Sequence, residues 1–149
     1  NKTSQNSNIS VNVCKNKKII LVVDDSETIR KAVVNLINKT PSISSEFCSL
    51  EACDGIATLH YIMKDQAKGN KIKIIISDEN MEYISGSASI SMIRELESQR
   101  KIKSVFFASL TAFSDEITHN NILSKGANMV IQKPISKKNL EKIIEDYRK

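Results

Sequence analysis

Acidic, hydroxyl and basic side chains occur at the ends of apolar segments that are spaced along the whole sequence. Asp24 and Asp25 follow the first of these segments, and Asp78 follows another. Thr111 and Lys133 lie at the ends of two later segments. Adjacent carboxylates repel each other, and a nearby positive charge is needed if both are to stay ionised. A single aspartate in such a place is more often a helix cap or a turn residue, so only the joint pattern indicates chemistry.

Alternating strands and helices would bring these side chains together. The pattern predicts strands at Lys18–Val23, Glu46–Leu50, Ile72–Ser77, Ser104–Ser109 and Met129–Gln132, and helices at Glu27–Lys39, Gly55–Lys68 and Ser87–Gln99, from a cap at Ser114 to Lys125, and after Ser136. Continuous apolar strands alternating with amphipathic helices favour a parallel sheet that is buried on both faces. The predicted fold class is therefore a doubly wound (βα)5 α/β fold. If its strand order is 2-1-3-4-5, as in the flavodoxin-like fold, the first and third strands are neighbours. In such a sheet, sites form outside the carboxyl ends of the strands, where the strand order reverses.

The first predicted helix has a clear start and a clear apolar face. Ser26 is expected to be its N-cap, because a serine hydroxyl accepts hydrogen bonds from the unpaired N–H groups of a first turn. The helical spacing places four apolar residues on one face, namely Ile29, Val33, Leu36 and Ile37.

Three carboxylates in one crevice require a cation. Oxygen ligands without histidine or cysteine select Mg²⁺, or Mn²⁺ as its substitute. A carboxylate is also able to attack phosphorus and form an acyl phosphate. A metal, an ammonium and a hydroxyl would then neutralise the charge on the transferred oxygens. The residues therefore predict a Mg²⁺-dependent phosphoryl-transfer site that consists of Asp24, Asp25, Asp78, Thr111 and Lys133.

The chain resembles the receiver domains of two-component signalling, which occur in response regulators and in hybrid histidine kinases. The resemblance extends from about Lys18 to Lys149 and includes all the site segments in order. It also includes the stretch EACDGIATL at the second strand and helix, and Gly86, eight residues after Asp78. We therefore expect residues 18–149 to form one receiver domain, and residues 1–17, rich in Asn, Ser and Lys, to form a disordered basic tail or linker.

The resemblance implies a role for each acidic residue of the site. Asp78 would accept a phosphoryl group from a phosphohistidine on a histidine kinase or a histidine phosphotransfer domain. Asp25 would bind Mg²⁺ directly, Asp24 would bind it through water, and the backbone carbonyl of Asn80 would be a further ligand. Such a domain catalyses its own phosphorylation and dephosphorylation and is not a turnover enzyme in the usual sense.

The resemblance also concerns the residues around the phosphoryl group. Thr111 would hydrogen-bond a phosphoryl oxygen, Lys133 would pair with the group, and the Lys133-Pro134 bond is similar to one that the family keeps cis. Two positions depart from the family pattern. Glu82 stands where the family usually has proline, and Val130 stands where it often has the aromatic residue that rotates on activation. We expect a more acidic loop after Asp78 and a changed conformational switch.

Composition sets further bounds on function. The 149 residues are 40% apolar and 26% charged, as in an ordinary globular domain. No apolar run is long enough for a membrane span or a signal peptide, so we expect a cytoplasmic protein without membrane contact.

An odd number of cysteines without a Cys-x-x-Cys motif predicts reduced thiols. The basic start lacks interleaved aromatic or arginine residues, so no nucleic-acid partner is expected. Because the chain begins with Asn1 instead of Met, we expect a piece of a longer protein such as a hybrid kinase.

Three alternatives remain open at this point. A non-catalytic interaction module of the same fold is disfavoured because every expected site residue is present. A flavodoxin-like cofactor binder would need hydroxyls and backbone amides after the first strand, where this chain has DDSE. A DNA-binding regulator would need a helix-turn-helix, and none follows the last predicted helix.

Overall fold

The computed structural model describes residues 16–81 and 83–149. The predicted tail therefore lies almost entirely outside the described residues, as does Glu82. The described residues form five strands and six helices: β1 (Lys18–Val23), α1 (Glu27–Asn38), α2 (Pro41–Ser44), β2 (Phe47–Ala52), α3 (Gly55–Ala67), β3 (Ile72–Asp78), α4 (Gly86–Ser98), β4 (Phe106–Thr111), α5 (Glu116–Ser124), β5 (Met129–Gln132) and α6 (Lys137–Arg148).

The five strands form one parallel sheet in the order β2-β1-β3-β4-β5. This order confirms the predicted fold class. Because β1 lies between β2 and β3, the strand order reverses there, and the carboxyl ends of β1 and β3 are neighbours. The register pairs Val23 with Ser77, so the residues that follow each strand come to the same edge.

Apolar side chains fill both faces of the sheet. One core lies against α1 and α6, and the other against α3, α4 and α5. Strand residues alternate between the two cores, as the twofold periodicity of a strand requires. Ile20, Val22, Ile74 and Ile76 point to the first core, whereas Leu21, Val23 and Ile75 point to the second.

Several element boundaries differ from the prediction. Thr111 is the last residue of β4 and Asp78 is the last residue of β3, so both lie within strands. The N-cap of α5 is Asp115 and not Ser114, since the Asp115 carboxylate accepts hydrogen bonds from the N–H and the hydroxyl of Thr118. The predicted capping residues Ser26 and Ser136 are confirmed. The short helix α2 was not predicted.

The first helix buries less of its apolar face than predicted. Val33 and Ile37 are buried and Leu36 packs against the same core, but Ile29 is 42% exposed. Ile29 lies in the first turn of α1, close to the sheet edge where the predicted site residues lie, so the core does not extend over it.

Two further expectations concern the thiols and the membrane. Cys53 is a free and exposed thiol, which agrees with the expectation of reduced thiols at this position. Cys14 lies outside the described residues. Among the helices of the described segments, none combines the length and the apolar character needed to cross a membrane.

A buried carboxylate organises the turn between α3 and β3. Asp65 accepts hydrogen bonds from the backbone N–H groups of Lys71 and Ile72, both at 2.9 Å. Its own carbonyl accepts from the N–H of Asn70 at 2.9 Å. Asn70 has a φ of 53°, a left-handed conformation that asparagine tolerates better than most residues. Asp65 therefore satisfies two backbone donors at the start of the central strand.

Replacing this carboxylate should destabilise the fold. Asp65→Ala leaves two backbone N–H groups without their acceptor, and we expect a loss of about 1–3 kcal/mol in the free energy of unfolding. Asp65→Asn keeps one acceptor oxygen and should lose less. Urea denaturation followed by circular dichroism measures both. Glu95→Ala, on the exposed face of α4, is the control and should be close to wild type. Equal stability of Asp65→Ala and the control would contradict this role.

Candidate functional site

Three carboxylates meet at the edge of the sheet where the strand order reverses. Asp24 and Asp25 follow β1, and Asp78 ends β3. A carboxylate oxygen from each residue lies within 4.8 Å of the other two. Asp24 and Asp78 are almost completely buried, whereas Asp25 is exposed. The fold therefore brings the three predicted acidic residues together in one crevice that is open on one side.

Asp24 has a buried oxygen that lacks a partner. Its Oδ1 accepts a hydrogen bond from the N–H of Ser26 at 2.9 Å, but its Oδ2 is buried without a hydrogen bond. A buried carboxylate oxygen without a partner is unfavourable unless a cation or an ordered water satisfies it. Mg²⁺ usually keeps several waters and is bound by one or two carboxylates. The donor set and this unpaired oxygen therefore fit a hydrated Mg²⁺.

A lysine contacts the predicted phospho-acceptor directly. Lys133 Nζ lies 2.6 Å from Asp78 Oδ1, and the N–H of Asn80 donates to the same oxygen at 3.3 Å. The N–H of Lys133 also donates to the carbonyl of Thr111 at 2.8 Å. The Thr111 side chain is fully buried, and its Oγ1 accepts from the N–H of Phe113 at 3.2 Å. The strand ends thus place one ammonium in contact with Asp78 and one buried hydroxyl at the end of β4, the neighbour of β3.

Gly86 allows α4 to begin very close to the acceptor strand. A Cβ atom at this position would lie 2.8 Å from the carbonyl oxygen of Asp78 and 3.1 Å from Glu79 Cα. Both are backbone atoms, which cannot move aside as a flexible side chain would. Only glycine lets the loop close at this distance. The bond before Pro134 is cis, as the resemblance implied.

Sequence reasoning missed the charged residues that support the backbone of Asp24. Arg30 on α1 donates to the carbonyl of Asp24 at 2.8 Å and to Glu51 Oε1 at 2.9 Å. Lys31 donates to the second oxygen of Glu51 at 2.7 Å. The hydrogen bond from Lys31, followed by that from Arg30, lowers the pKa of Glu51 despite partial burial. Glu51 is the last but one residue of the neighbouring strand β2, so this pairing is visible only once the strand order is known.

Burial is the main electrostatic influence on Asp24. It raises the pKa of Asp24 above its ordinary value of 3.8, because a buried carboxylate loses hydration. The hydrogen bond from Ser26 opposes this effect, and the negative charge of Asp78 adds to it. In the absence of a cation, the folded state therefore binds the Asp24 proton more tightly than the unfolded state does.

This raised pKa predicts how stability depends on pH when no metal is bound. As pH rises above 3.8, the unfolded state releases the Asp24 proton before the folded state does, so the free energy of unfolding decreases. The lowered pKa of Glu51 has the opposite effect. Below its ordinary pKa of 4.5, it makes the free energy of unfolding increase as pH rises. Asp24→Asn removes only the first effect. In EDTA, the free energy of unfolding of Asp24→Asn should increase relative to that of wild type as pH rises from about 4 towards 7.

Urea denaturation across this pH range measures the difference. Asp54→Asn, which changes the carboxylate at the N-cap of α3, is a control for the loss of one charge away from the cluster. A difference between Asp24→Asn and wild type that stays constant across the range would show that burial of Asp24 has no such cost.

Comparison with known families identifies the class of this domain. Residues 20–145 match the family described as the response regulator receiver domain. This match covers most of the chain, and the chain therefore belongs to that family. The family assignment agrees with the resemblance drawn from the site segments.

Relatives with this domain include both large kinases and small regulators. The chain is 28% identical over 129 residues to the osmosensing histidine protein kinase SLN1 of Saccharomyces cerevisiae, covering 86% of this chain and 10% of the kinase. It is 24% identical over 127 residues to a chemotaxis protein CheY homolog of Campylobacter jejuni, covering 85% of this chain and 89% of that protein. The chain thus spans a small part of the kinase and most of the chemotaxis protein.

Solved structures share the fold at low sequence identity. A response regulator receiver domain protein from Clostridium thermocellum has a TM-score of 0.71 at 22% identity, with 87% of this chain and 93% of that chain covered. The Saccharomyces cerevisiae Ssk1 receiver domain, crystallised with the histidine phosphotransfer signaling protein Ypd1, has a TM-score of 0.72 at 21% identity, with coverage of 87% and 88%. Both agree with the five-stranded topology.

Proposed function

We propose that this domain accepts a phosphoryl group on Asp78 from a phosphohistidine, in a reaction that depends on Mg²⁺. The observation that carries this proposal is the contact between Lys133 and Asp78 inside a cluster of three carboxylates. Asp24, Asp25 and Asp78 would hold the metal together with the carbonyl of Asn80. The bound metal would neutralise charge on the transferred phosphoryl oxygens.

The side chains of the site suit the separate parts of this transfer. An Asp78 oxygen attacks phosphorus, the bond from phosphorus to the histidine nitrogen breaks, and the imidazole keeps the electron pair. Lys133 leaves its contact with the ionised carboxylate and pairs with the new phosphoryl group. Thr111 accepts from Phe113, so its hydroxyl hydrogen is still available for a phosphoryl oxygen.

An apolar groove beside the acceptor supports a protein donor. It has a volume of about 540 Å³ and lies between α1 and the segments that follow β4 and β5. Ile29 is exposed because it faces this groove. The groove is lined by Thr28, Ile29, Ala32, Val33, Leu36, Leu110, Ala112, Lys133, Pro134 and Ile135. Since Lys133 also contacts Asp78, a partner seated in this groove lies next to the acceptor. We propose that a helix of a histidine kinase or a phosphotransfer domain occupies it.

The remaining expectations belong to the same proposal. Residues 18–149 form the receiver domain, and the domain works in the cytoplasm, where histidine kinases present their phosphohistidine. Neither nucleic acid nor a membrane is a partner of this segment. The non-catalytic interaction module is the competing function, and phosphorylation distinguishes the two.

Phosphorylation at Asp78 is directly testable. With Mg²⁺ and acetyl phosphate, the protein should gain one phosphoryl group that hydroxylamine removes, as expected for an acyl phosphate. Asp78→Asn should abolish labelling because the amide is a poor nucleophile, and EDTA should abolish it in wild type. Intact mass spectrometry measures the adduct, and Asp54→Asn is the control that should label normally. Undiminished labelling of Asp78→Asn would refute the assignment, and no labelling of wild type would favour the interaction module.

The conformational response should differ from that of relatives with an aromatic residue near the site lysine. Val130 is half-buried against the core that includes Ile122. Its β-branched side chain has few rotamers. By contrast, α5 has only one buried residue, Ile122, and Phe113 in the preceding loop is exposed. A weakly packed helix moves at lower cost than a core side chain does.

We therefore expect activation to change residues Phe113–Leu123 and to leave Val130 almost still. Beryllofluoride with Mg²⁺ provides a stable mimic of the phosphoryl group for NMR. Backbone amide shifts should be large for Phe113–Leu123, and the Val130 methyl shifts should be small. The methyl groups of Ile62, buried in the core on α3, provide the unmoved reference. A large rotamer change at Val130 with Phe113–Leu123 unmoved would contradict this expectation.

A further inference from the structure

Glu79 lies between Asp78 and Asn80, and its backbone is hydrogen-bonded to two other elements of the fold. The N–H of Glu79 donates to the carbonyl of Leu110 on β4 at 2.9 Å. The carbonyl of Glu79 accepts from the N–H of Gly86, the first residue of α4, at 3.1 Å. The backbone of Glu79, the residue next to Asp78, is therefore bonded both to β4 and to the first residue of α4.

The side chain of Glu79 joins the same elements a second time. Its Oε1 accepts from the hydroxyl of Ser87 in the first turn of α4 at 2.5 Å. Its Oε2 lies 3.4 Å from the hydroxyl of Ser109, which is fully buried in β4. Glu79 is half-buried, so these contacts are partly shielded from water. The carboxylate thus ties the start of α4 to the end of β3 and to β4.

We propose that Glu79, through Ser87, is a positioning residue that holds the loop after Asp78 in the geometry needed for the metal-binding carbonyl of Asn80. This proposal rests on the proposed function, because it concerns the same Mg²⁺ site. Within the described residues, the hydrogen bonds of Glu79 reach Leu110, Gly86, Ser87 and Ser109 and none of the site carboxylates. Glu79 therefore acts through the loop.

Glu79 matters for Mg²⁺ binding because the positions of the metal ligands tolerate little displacement. Mg²⁺ demands near-ideal octahedral geometry with short bonds to oxygen, so a ligand held loosely loses affinity. Asn80 is exposed, and its N–H contact to Asp78 is long at 3.3 Å. A backbone carbonyl in such a loop needs support from both ends. The Glu79–Ser87 contact supplies it on the side of α4.

Mg²⁺ affinity and thermal stability, measured together, test this role. Mg²⁺ is titrated into wild type and four variants while amide NMR shifts are followed, and the melting temperature of each is measured without metal. Glu79→Ala and Ser87→Ala should each weaken Mg²⁺ binding by about 10-fold, as is typical for loss of a residue that orients a ligand. Glu79→Gln keeps an acceptor oxygen for Ser87 and should bind close to wild type. Ser98→Ala, at the far end of α4, is the matched control and should not change the affinity.

The combination of variants separates position from charge and from stability. The double variant Glu79→Ala/Ser87→Ala should bind no more weakly than either single variant, because both remove the same contact. If Glu79→Ala and Ser87→Ala melt lower but bind Mg²⁺ like wild type, Glu79 is only structural and the inference fails. If Glu79→Gln binds as weakly as Glu79→Ala while Ser87→Ala binds normally, the effect is one of charge, and the inference again fails.

The wild-type arm separates this inference from the proposed function. Wild type that neither binds Mg²⁺ nor labels at Asp78 would refute the proposed function, and the positioning role with it. Wild type that does both, with unchanged affinity in Glu79→Ala and Ser87→Ala, would refute the positioning role alone.

Discussion

Repulsion among three carboxylates at one edge of the sheet is the constraint on which the rest of the structure depends. Asp24 is buried with an unpaired oxygen, and Asp78 is buried beside it. Lys133 offsets part of this negative charge through its contact with Asp78 at 2.6 Å. Burying like charges is unfavourable, so the surrounding fold must hold these groups in place against their mutual repulsion. An arrangement of this kind favours a bound cation, and the proposed phosphorylation of Asp78 would change its charge.

The supports for this cluster come from separate elements. Arg30 on α1 holds the backbone of Asp24, and Gly86 lets α4 approach the backbone of Asp78. On the other side, the N–H of Lys133 bonds to the carbonyl of Thr111, which couples the ends of β4 and β5. Because each support comes from a different element, a change at the cluster would act on several elements at once. α5 has the fewest buried residues among the longer helices, so it offers the least resistance to such a change.

Much of the fold and the acidic site could be predicted from local patterns. β1 and β5 have the predicted bounds, and the observed strand order is the predicted one, although right-handed crossovers alone do not fix it. Apart from the unpredicted helix α2, the errors in element bounds lie at the ends of elements. Asp115 replaces Ser114 as a cap because its carboxylate accepts two hydrogen bonds from Thr118. Ile29 fits the helical apolar pattern, but it lies at the edge of the core and faces a groove instead.

The sequence by itself determined which side chains stand at the strand ends, because hydrophobic periodicity and chain order are local properties. The five site residues could therefore be named from the order of residues along the chain, and they are Asp24, Asp25, Asp78, Thr111 and Lys133. Only the tertiary structure decided which groups support them. Arg30 meets Glu51, and Glu79 meets Ser87 and Ser109, across gaps in the chain that no period spans. Hydrogen bonds of this kind require the distance between packed elements to be correct to within a few tenths of an ångström. That distance is set by packing, which is a property of the whole fold.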